Sequence, residues 1–115
     1  MKIVRVILSK EAQKAYELLN KNAQFSKIEK SLINSIHKKI ELIKENIHYG
    51  DPIAKNLMPI EYLKNYGITN LFRVELPNYW RMMYTLINGE SEIEIISFVL
   101  DFINHKEYNK KFGYK

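Results

Sequence analysis

The spacing of apolar residues changes once along this chain, and the change limits the folds that the chain can adopt. Between residues 10 and 47, apolar side chains recur every three or four positions, which is the period of an amphipathic helix. From Leu71 onward they alternate with polar side chains, which is the period of a half-buried β-strand. We therefore predict a single α+β domain over residues 1–115.

Two helices are predicted in the first half of the chain, after a short β-branched strand at Ile3–Leu8. Ser9 is a favourable N-cap for the first helix, which the polar run at residues 20–22 ends. Ser26, with Glu29 three residues later, forms a capping box for a longer second helix. Each helix has one apolar face, so the pair is predicted to form a hairpin that packs on a sheet. The apolar positions are Ala12, Ala15, Tyr16 and Leu19 in the first helix and Ile28, Leu32, Ile36, Ile40, Ile43 and Ile47 in the second.

The second half of the chain predicts the strands of that sheet. Residues 71–76, 79–87 and 92–102 have strand character, with a turn at residues 77–78 and a hairpin signal at Asn88-Gly89. With the N-terminal strand, they give an antiparallel sheet of about four strands. The face of this sheet beneath the helices is predicted to carry four residues: Trp80, Met82, Tyr84 and Leu86.

The stretch between the helices and these strands, residues 53–70, has no clear period. It follows Gly50-Asp51-Pro52, a run that ends the second helix, and it contains Pro59 and Gly67 as further interruptions. We predict mostly loop here, with one helical turn near residues 60–65.

The turn at Pro77 decides which way three charged side chains point. A two-residue loop would need a positive φ at its first position, which proline cannot adopt. A three-residue connection avoids this, and it places Arg73, Glu75 and Arg81 on one face of the sheet, away from the helices. The spacing therefore predicts two guanidinium groups on a shared surface.

A basic cluster follows the last predicted strand. Asn104 and Glu107 form a capping-box pattern, which predicts a short C-terminal helix that begins at His105 and has Tyr108 on the same side. The start of a helix carries free N–H groups and partial positive charge, so it favours phosphate and disfavours a protonated imidazole. Three nearby lysines are candidates for contacts with an RNA backbone: Lys106, Lys110 and Lys111.

The charge and the cysteine content of the chain restrict the kinds of partner and ligand that it can bind. With 18 basic and 13 acidic residues the net charge is +5, which favours polyanions such as nucleic acid. The chain has no cysteine, which excludes disulfides and thiolate ligands, and it has no apolar run long enough for a membrane span. Asp101, His105 and Glu107 lack a recognised metal-ligand spacing. No metal or other cofactor is expected, and the cytoplasm is the expected location.

Two segments of the chain stand out together: the hairpin Leu71-Phe72-Arg73-Val74 with Tyr79-Trp80-Arg81-Met82-Met83-Tyr84, and the terminal His105-Lys106-Glu107-Tyr108. They resemble the RelE/ParE toxin superfamily. The order of elements in that superfamily is a strand, two helices, an antiparallel sheet and sometimes a C-terminal helix, which matches essentially the whole chain. The resemblance implies a type II toxin–antitoxin toxin inhibited by a cognate antitoxin protein, with a toxin–antitoxin heterotetramer as one assembly.

This superfamily contains two activities. RelE-like members are metal-independent endoribonucleases that cut mRNA on the ribosome and so inhibit translation, whereas ParE-like members poison DNA gyrase. Arg73, Arg81, His105 and Tyr108 match positions of the ribonucleases, so the resemblance implies a RelE-like mRNA interferase. In it the arginines would hold the scissile phosphate, and Tyr108 would orient or stack on a base.

Glu75 departs from the family pattern, because many RelE-like proteins carry a second basic residue there. It is an alternative to His105 as the general base that takes the proton of the ribose 2′-hydroxyl. Two other functions stay open from the sequence. One is a ParE-like gyrase poison, and the other is a catalytically inactive relative that binds RNA or an antitoxin.

Overall fold

The computed structural model describes residues 3–88 and 94–113, with the backbone alone for residues 94–103 and His105. The elements in chain order are strand β1 (Ile3–Leu8), helices α1 (Lys10–Asn22) and α2 (Lys27–Glu45), strand β2 (Asp51–Pro52), helix α3 (Ile60–Tyr66), strands β3 (Phe72–Leu76), β4 (Trp80–Asn88) and β5 (Glu94–Ile103), and helix α4 (His105–Lys111). This order confirms the predicted α+β class. Within the described ranges, none of the helices combines the length and the apolar composition that a membrane crossing needs.

The strands form one mixed sheet in the order β1-β5-β4-β3-β2. β1 runs parallel to β5, and the other neighbouring pairs are antiparallel. This corrects the predicted antiparallel sheet of about four strands, because a parallel pair is joined by a long crossover that leaves no local turn signal. The hairpin predicted at Asn88-Gly89 involves Gly89, which lies outside the described residues.

Helices α1 and α2 begin where their capping residues predict. The Ser9 hydroxyl accepts the N–H of Ala12 at 3.0 Å, and the Ser26 hydroxyl accepts the N–H of Glu29 at 3.4 Å. Two predicted positions of the apolar face differ. The side chain of Ile28 is 60% exposed in the first turn of α2, and Ile47 lies beyond the end of this helix at Glu45. The apolar face of this helix begins one turn after Ile28.

The first core lies between this helical hairpin and the sheet, as predicted. Its buried members come from α1, α2, β3 and β4, and the strand residues predicted to face the helices all contribute to it. Buried members are Ala12, Leu19, Leu32, Ile33, Ile36, Ile43, Phe72, Val74, Leu76, Met82 and Tyr84, with Trp80 and Leu86 packed against them.

A second core covers the other face of the sheet. The helical turn predicted near residues 60–65 is confirmed as α3, and the loop predicted for the rest of residues 53–70 is interrupted by a 3-10 turn at Lys55–Leu57. α3 and Met58, which follows the 3-10 turn, pack on the sheet together with α4. The buried members are Met58, Tyr62, Ile68, Leu71, Met83 and Tyr108. The sheet is therefore sandwiched, and the second layer contains the C-terminal helix.

Tyr84 ties the loop after α2 to the sheet. Its hydroxyl donates to the Ile47 carbonyl oxygen at 2.8 Å and accepts the Gly50 N–H at 3.0 Å. Burial raises the pKa of this hydroxyl. A Cβ on Gly50 would lie 2.9 Å from Cε1 of Tyr84 and 3.0 Å from the carbonyl oxygen of Arg73. Glycine is thus needed here for the close approach of the loop to β3.

We expect Tyr84→Phe to lower the free energy of unfolding by about 1–3 kcal/mol, because it leaves the buried N–H of Gly50 without its acceptor. Chemical denaturation followed by circular dichroism measures the change. Tyr49→Phe is the matched control, since the Tyr49 hydroxyl accepts an exposed bond from Lys39 at 3.0 Å, and it should cost less than about 0.5 kcal/mol. Equal stability of the two variants would contradict this account.

Candidate functional site

The turn between β3 and β4 has the length that the sequence predicts. Leu76 pairs with Trp80, so residues 77–79 form a three-residue connection. One boundary differs, because Tyr79 lies in the turn and not in the strand that was predicted to include it. β4 begins at Trp80.

This register places the charged residues of the hairpin on one face. Arg73 lies opposite Met83, and Glu75 lies opposite Arg81. Met83 belongs to the second core, so its cross-strand partner Arg73 faces the side of the sheet covered by α3 and α4. The prediction that Arg73, Glu75 and Arg81 share a face away from the helical hairpin is confirmed.

Helix α4 brings Tyr108 onto this same face. The Asn104 side chain accepts the N–H of Glu107 at 2.9 Å, so the predicted N-cap starts the helix. Tyr108 is 3% exposed, and its ring stacks on that of Phe112 with 4.4 Å between the centroids. A helix of seven residues is too short to be stable alone, so this packing holds it in place.

Both arginines converge on Tyr108. The Nη1 of Arg73 donates to the Tyr108 hydroxyl at 3.0 Å, and its guanidinium carbon lies 5.9 Å from the ring centroid. The guanidinium carbon of Arg81 lies 5.1 Å from the same centroid. The hairpin and the C-terminal segment therefore meet at one side chain.

The positive charge at this point is only partly balanced. Asp51 Oδ2 lies 3.5 Å from Nη2 of Arg73, but its side chain is 72% exposed, so water screens the pair. The Nε atoms of Arg73 and Arg81 are buried without a hydrogen-bond partner in the described part of the chain. The bond to Tyr108 raises the pKa of Arg73, against the opposing effect of burial and with a smaller contribution from Asp51. Two guanidinium groups beside one ring repel each other, and a bound anion would relieve that repulsion.

Glu75 lies between two cavities along the hairpin. The cavity towards Arg73 measures about 280 Å³ and includes Tyr49, and the cavity towards Arg81 measures about 490 Å³ and includes Tyr79. Glu75 is exposed, and no side chain that the structure describes pairs with it. A carboxylate in this position can accept a proton from a ligand that spans both cavities.

The remaining predicted residues divide into three groups. His105 is the first residue of α4, as predicted, but its side chain lies outside the described residues, so its role stays a prediction. Lys106 and Lys110 are exposed and accessible to a polyanion. The predicted contact of Lys111 with RNA is wrong, because its Nζ pairs with Glu61 at 2.5 Å and its side chain is only 15% exposed. It joins α4 to α3 and is not placed for contact with RNA.

The predicted stacking of Tyr108 on a base is also wrong, because Tyr108 is buried. A tyrosine that stacks on a base must expose a face of its ring, and an exposure of 3% leaves none available. The role that the geometry supports is to hold Arg73 in place. Tyr108 is thus a positioning residue.

Sequence reasoning missed three residues beside Arg73. Asp51 lies opposite Arg73 in the β2–β3 register, within the run that the sequence identified only as a helix terminator. The Nζ of Lys39 donates to the Tyr49 hydroxyl at 3.0 Å, and both residues line the cavity towards Arg73. No spacing in the sequence connects α2 with β3, so only the tertiary structure reveals this neighbourhood.

Among the described residues, no group of three or more histidine, aspartate or glutamate side chains is placed to hold a metal ion. Comparisons with family models, curated proteins and solved structures found no match to this chain.

We expect Tyr108→Phe to lower the free energy of unfolding by about 1 kcal/mol, because the ring still packs but Arg73 loses its hydrogen bond. A double-mutant cycle with Arg73→Ala, measured by chemical denaturation, isolates the pair. The expected coupling energy is on the order of 1 kcal/mol. A coupling energy near zero would show that the hydroxyl does not hold the guanidinium group.

Proposed function

We propose that this chain is the toxin of a type II toxin–antitoxin system and a RelE-like endoribonuclease that cleaves mRNA. The observation that carries the proposal is the convergence of Arg73 and Arg81 on Tyr108. Two guanidinium groups with incompletely balanced charge suit a phosphodiester, whose oxygens accept charge-assisted hydrogen bonds. The segments that supply them are those that resemble the RelE/ParE superfamily.

In the proposed mechanism the nucleophile is the ribose 2′-hydroxyl of the substrate. It attacks the adjacent phosphorus and displaces the 5′-oxygen, which leaves a 2′,3′-cyclic phosphate and a 5′-hydroxyl. Arg73 and Arg81 stabilise the charge that develops on the non-bridging oxygens. Because the substrate supplies its own nucleophile, the reaction needs no metal.

We assign proton transfer from the 2′-hydroxyl to Glu75. It lies opposite Arg81 in the strand pair and is exposed, so it can reach a phosphodiester held by the arginines. The proton required by the departing 5′-oxygen comes from water or from His105 at the start of α4. Under this assignment, Glu75, which departs from the family pattern, is the general base of the reaction.

The partners follow from the same proposal. The substrate is mRNA, engaged on the ribosome in the cytoplasm, and the net charge of +5 favours association with such polyanions. A cognate antitoxin protein inhibits the toxin, with a toxin–antitoxin heterotetramer as one possible assembly. The exposed Lys106 and Lys110 are the lysines that we retain for contacts with RNA.

A ParE-like gyrase poison and a catalytically inactive binder are the alternatives. Both of these functions require a surface that binds the partner, but neither requires a group that transfers a proton. The placement of Glu75 between two cavities, each of which includes one arginine, favours phosphodiester chemistry over either.

We expect Arg81→Ala to abolish growth arrest and to slow RNA cleavage by about 10²–10³-fold, because it removes one stabiliser of the transition-state charge. The measurements are growth after induction and the mapping of 5′ ends in cellular mRNA. The variant should still fold and bind the antitoxin, since Arg81 is partly exposed.

Arg5→Ala is the matched control for Arg81→Ala, because it makes the same change of charge in the edge strand β1. It should retain both growth arrest and cleavage. Full toxicity of Arg81→Ala would refute the assignment, and broken DNA with intact mRNA after induction would identify a gyrase poison.

We expect Glu75→Gln to slow single-turnover cleavage by about 10²–10⁴-fold while RNA affinity is kept, since the amide preserves size but cannot accept the proton. His105→Gln is the comparison. If His105→Gln caused the larger loss and Glu75→Gln had little effect, the histidine would be the general base.

A further inference from the structure

The turn between β3 and β4 has an unusual backbone. Asn78 has a φ of 59° and Tyr79 a φ of 63°, so two consecutive residues other than glycine adopt the left-handed region. Asparagine tolerates this region, but for a bulky residue such as tyrosine it is strained. Strain of this kind persists where the surrounding structure imposes it, and it is concentrated at functional sites.

The strained residue is also the more exposed of the two tyrosines that line the hairpin cavities. Tyr79 is 73% exposed, whereas Tyr49 is 36% exposed and has Lys39 Nζ within 5.5 Å of its ring centroid. A large aromatic ring left in solvent contributes little to a core. Most of the Tyr79 ring is therefore open to a ligand.

The surroundings of Tyr79 offer three kinds of group that can contact a nucleotide. It lines the cavity of about 490 Å³ together with Glu75, Leu76, Asn78 and Arg81. A guanidinium group, a carboxylate and an exposed aromatic ring thus border one space. A nucleotide presents a phosphate, a ribose hydroxyl and the flat face of a base, and these three groups match that set.

We propose that Tyr79 is a stacking platform for a base of single-stranded RNA, next to the phosphate that Arg81 holds. The inference rests on the proposed ribonuclease function and adds a residue that positions the substrate. Tyr79 then has the stacking role that Tyr108 cannot have, because Tyr108 is buried. Every base has a π-face, so the platform accepts different bases and orients the strand without reading its sequence.

The test compares Tyr79→Asn with Tyr79→Phe in binding to a short single-stranded RNA made non-cleavable by 2′-O-methylation. Tyr79→Asn removes the ring and suits the left-handed backbone, so it should weaken binding about 10- to 100-fold while Tm rises by a few degrees. Tyr79→Phe keeps the ring and should bind like the unaltered protein. Loss of affinity without loss of stability is a result that a merely structural role would not give.

Two controls complete the experiment. Phe25→Asn removes another exposed ring, 87% exposed between α1 and α2, and should leave RNA affinity unchanged. Inorganic polyphosphate is the second probe, since it offers phosphates without bases and should bind equally to the unaltered protein and to Tyr79→Asn. Tyr79→Gly, which also tolerates a positive φ, replaces Tyr79→Asn if the latter does not fold.

The outcomes separate this inference from the proposed function. If Tyr79→Asn binds RNA as the unaltered protein does, the platform is wrong, while cleavage by the unaltered protein would still support the ribonuclease. If the unaltered protein binds RNA through Tyr79 but does not cut a cleavable RNA, the platform stands and the ribonuclease fails. If the unaltered protein does not bind this RNA, the platform is overturned, and the ribonuclease is then decided by the 5′ ends of cellular mRNA alone.

Discussion

The contact of Arg73 and Arg81 with Tyr108 is the interaction on which the rest of the site depends. A buried phenol needs a hydrogen-bond partner, and Arg73 supplies one at 3.0 Å. The same bond fixes a flexible, charged side chain that would otherwise sample many rotamers in water. One contact therefore satisfies a buried hydroxyl, attaches α4 to the sheet and holds a positive charge in position.

The two faces of the sheet differ in the side chains that cover them. The face beneath α1 and α2 is covered by an apolar core, which among the described residues holds more of the buried hydrophobic side chains than the other face. The other face combines an apolar cluster around Met83 and Tyr62 with the arginines beside it. Substitutions on the first face should act through stability alone. Those on the second alter stability and the position of the charges together, because both depend on the same side chains.

Features with a local cause were predictable from the sequence. Ser9, Ser26 and Asn104 act as N-caps where the pattern places them, since a cap involves only the next three residues. Pro77 excluded the two-residue turn, and this alone brought Arg73 and Arg81 to one face.

Features with distant causes were not predictable. Residues 53–70 show no clear period outside the helical turn, because their apolar residues pack on Met83 and Tyr108, whose positions no nearby spacing reveals. The burial of Tyr108 and the pairing of Lys111 with Glu61 have the same origin, since both require α3 and α4 to be neighbours in space.

The parallel pairing of β1 with β5 also constrains the order in which the molecule can assemble. Ile3 pairs with Glu94 and Leu8 with Val99, so β1 has no partner until a segment about ninety residues further along has been made and the loop between them has closed. The β3–β4 hairpin is local and can form earlier, with both arginines already in register. Helix α4 directly follows β5, so Tyr108 reaches those arginines only once the sheet is nearly complete. A partly folded chain therefore presents the two charges without the side chain that organises them.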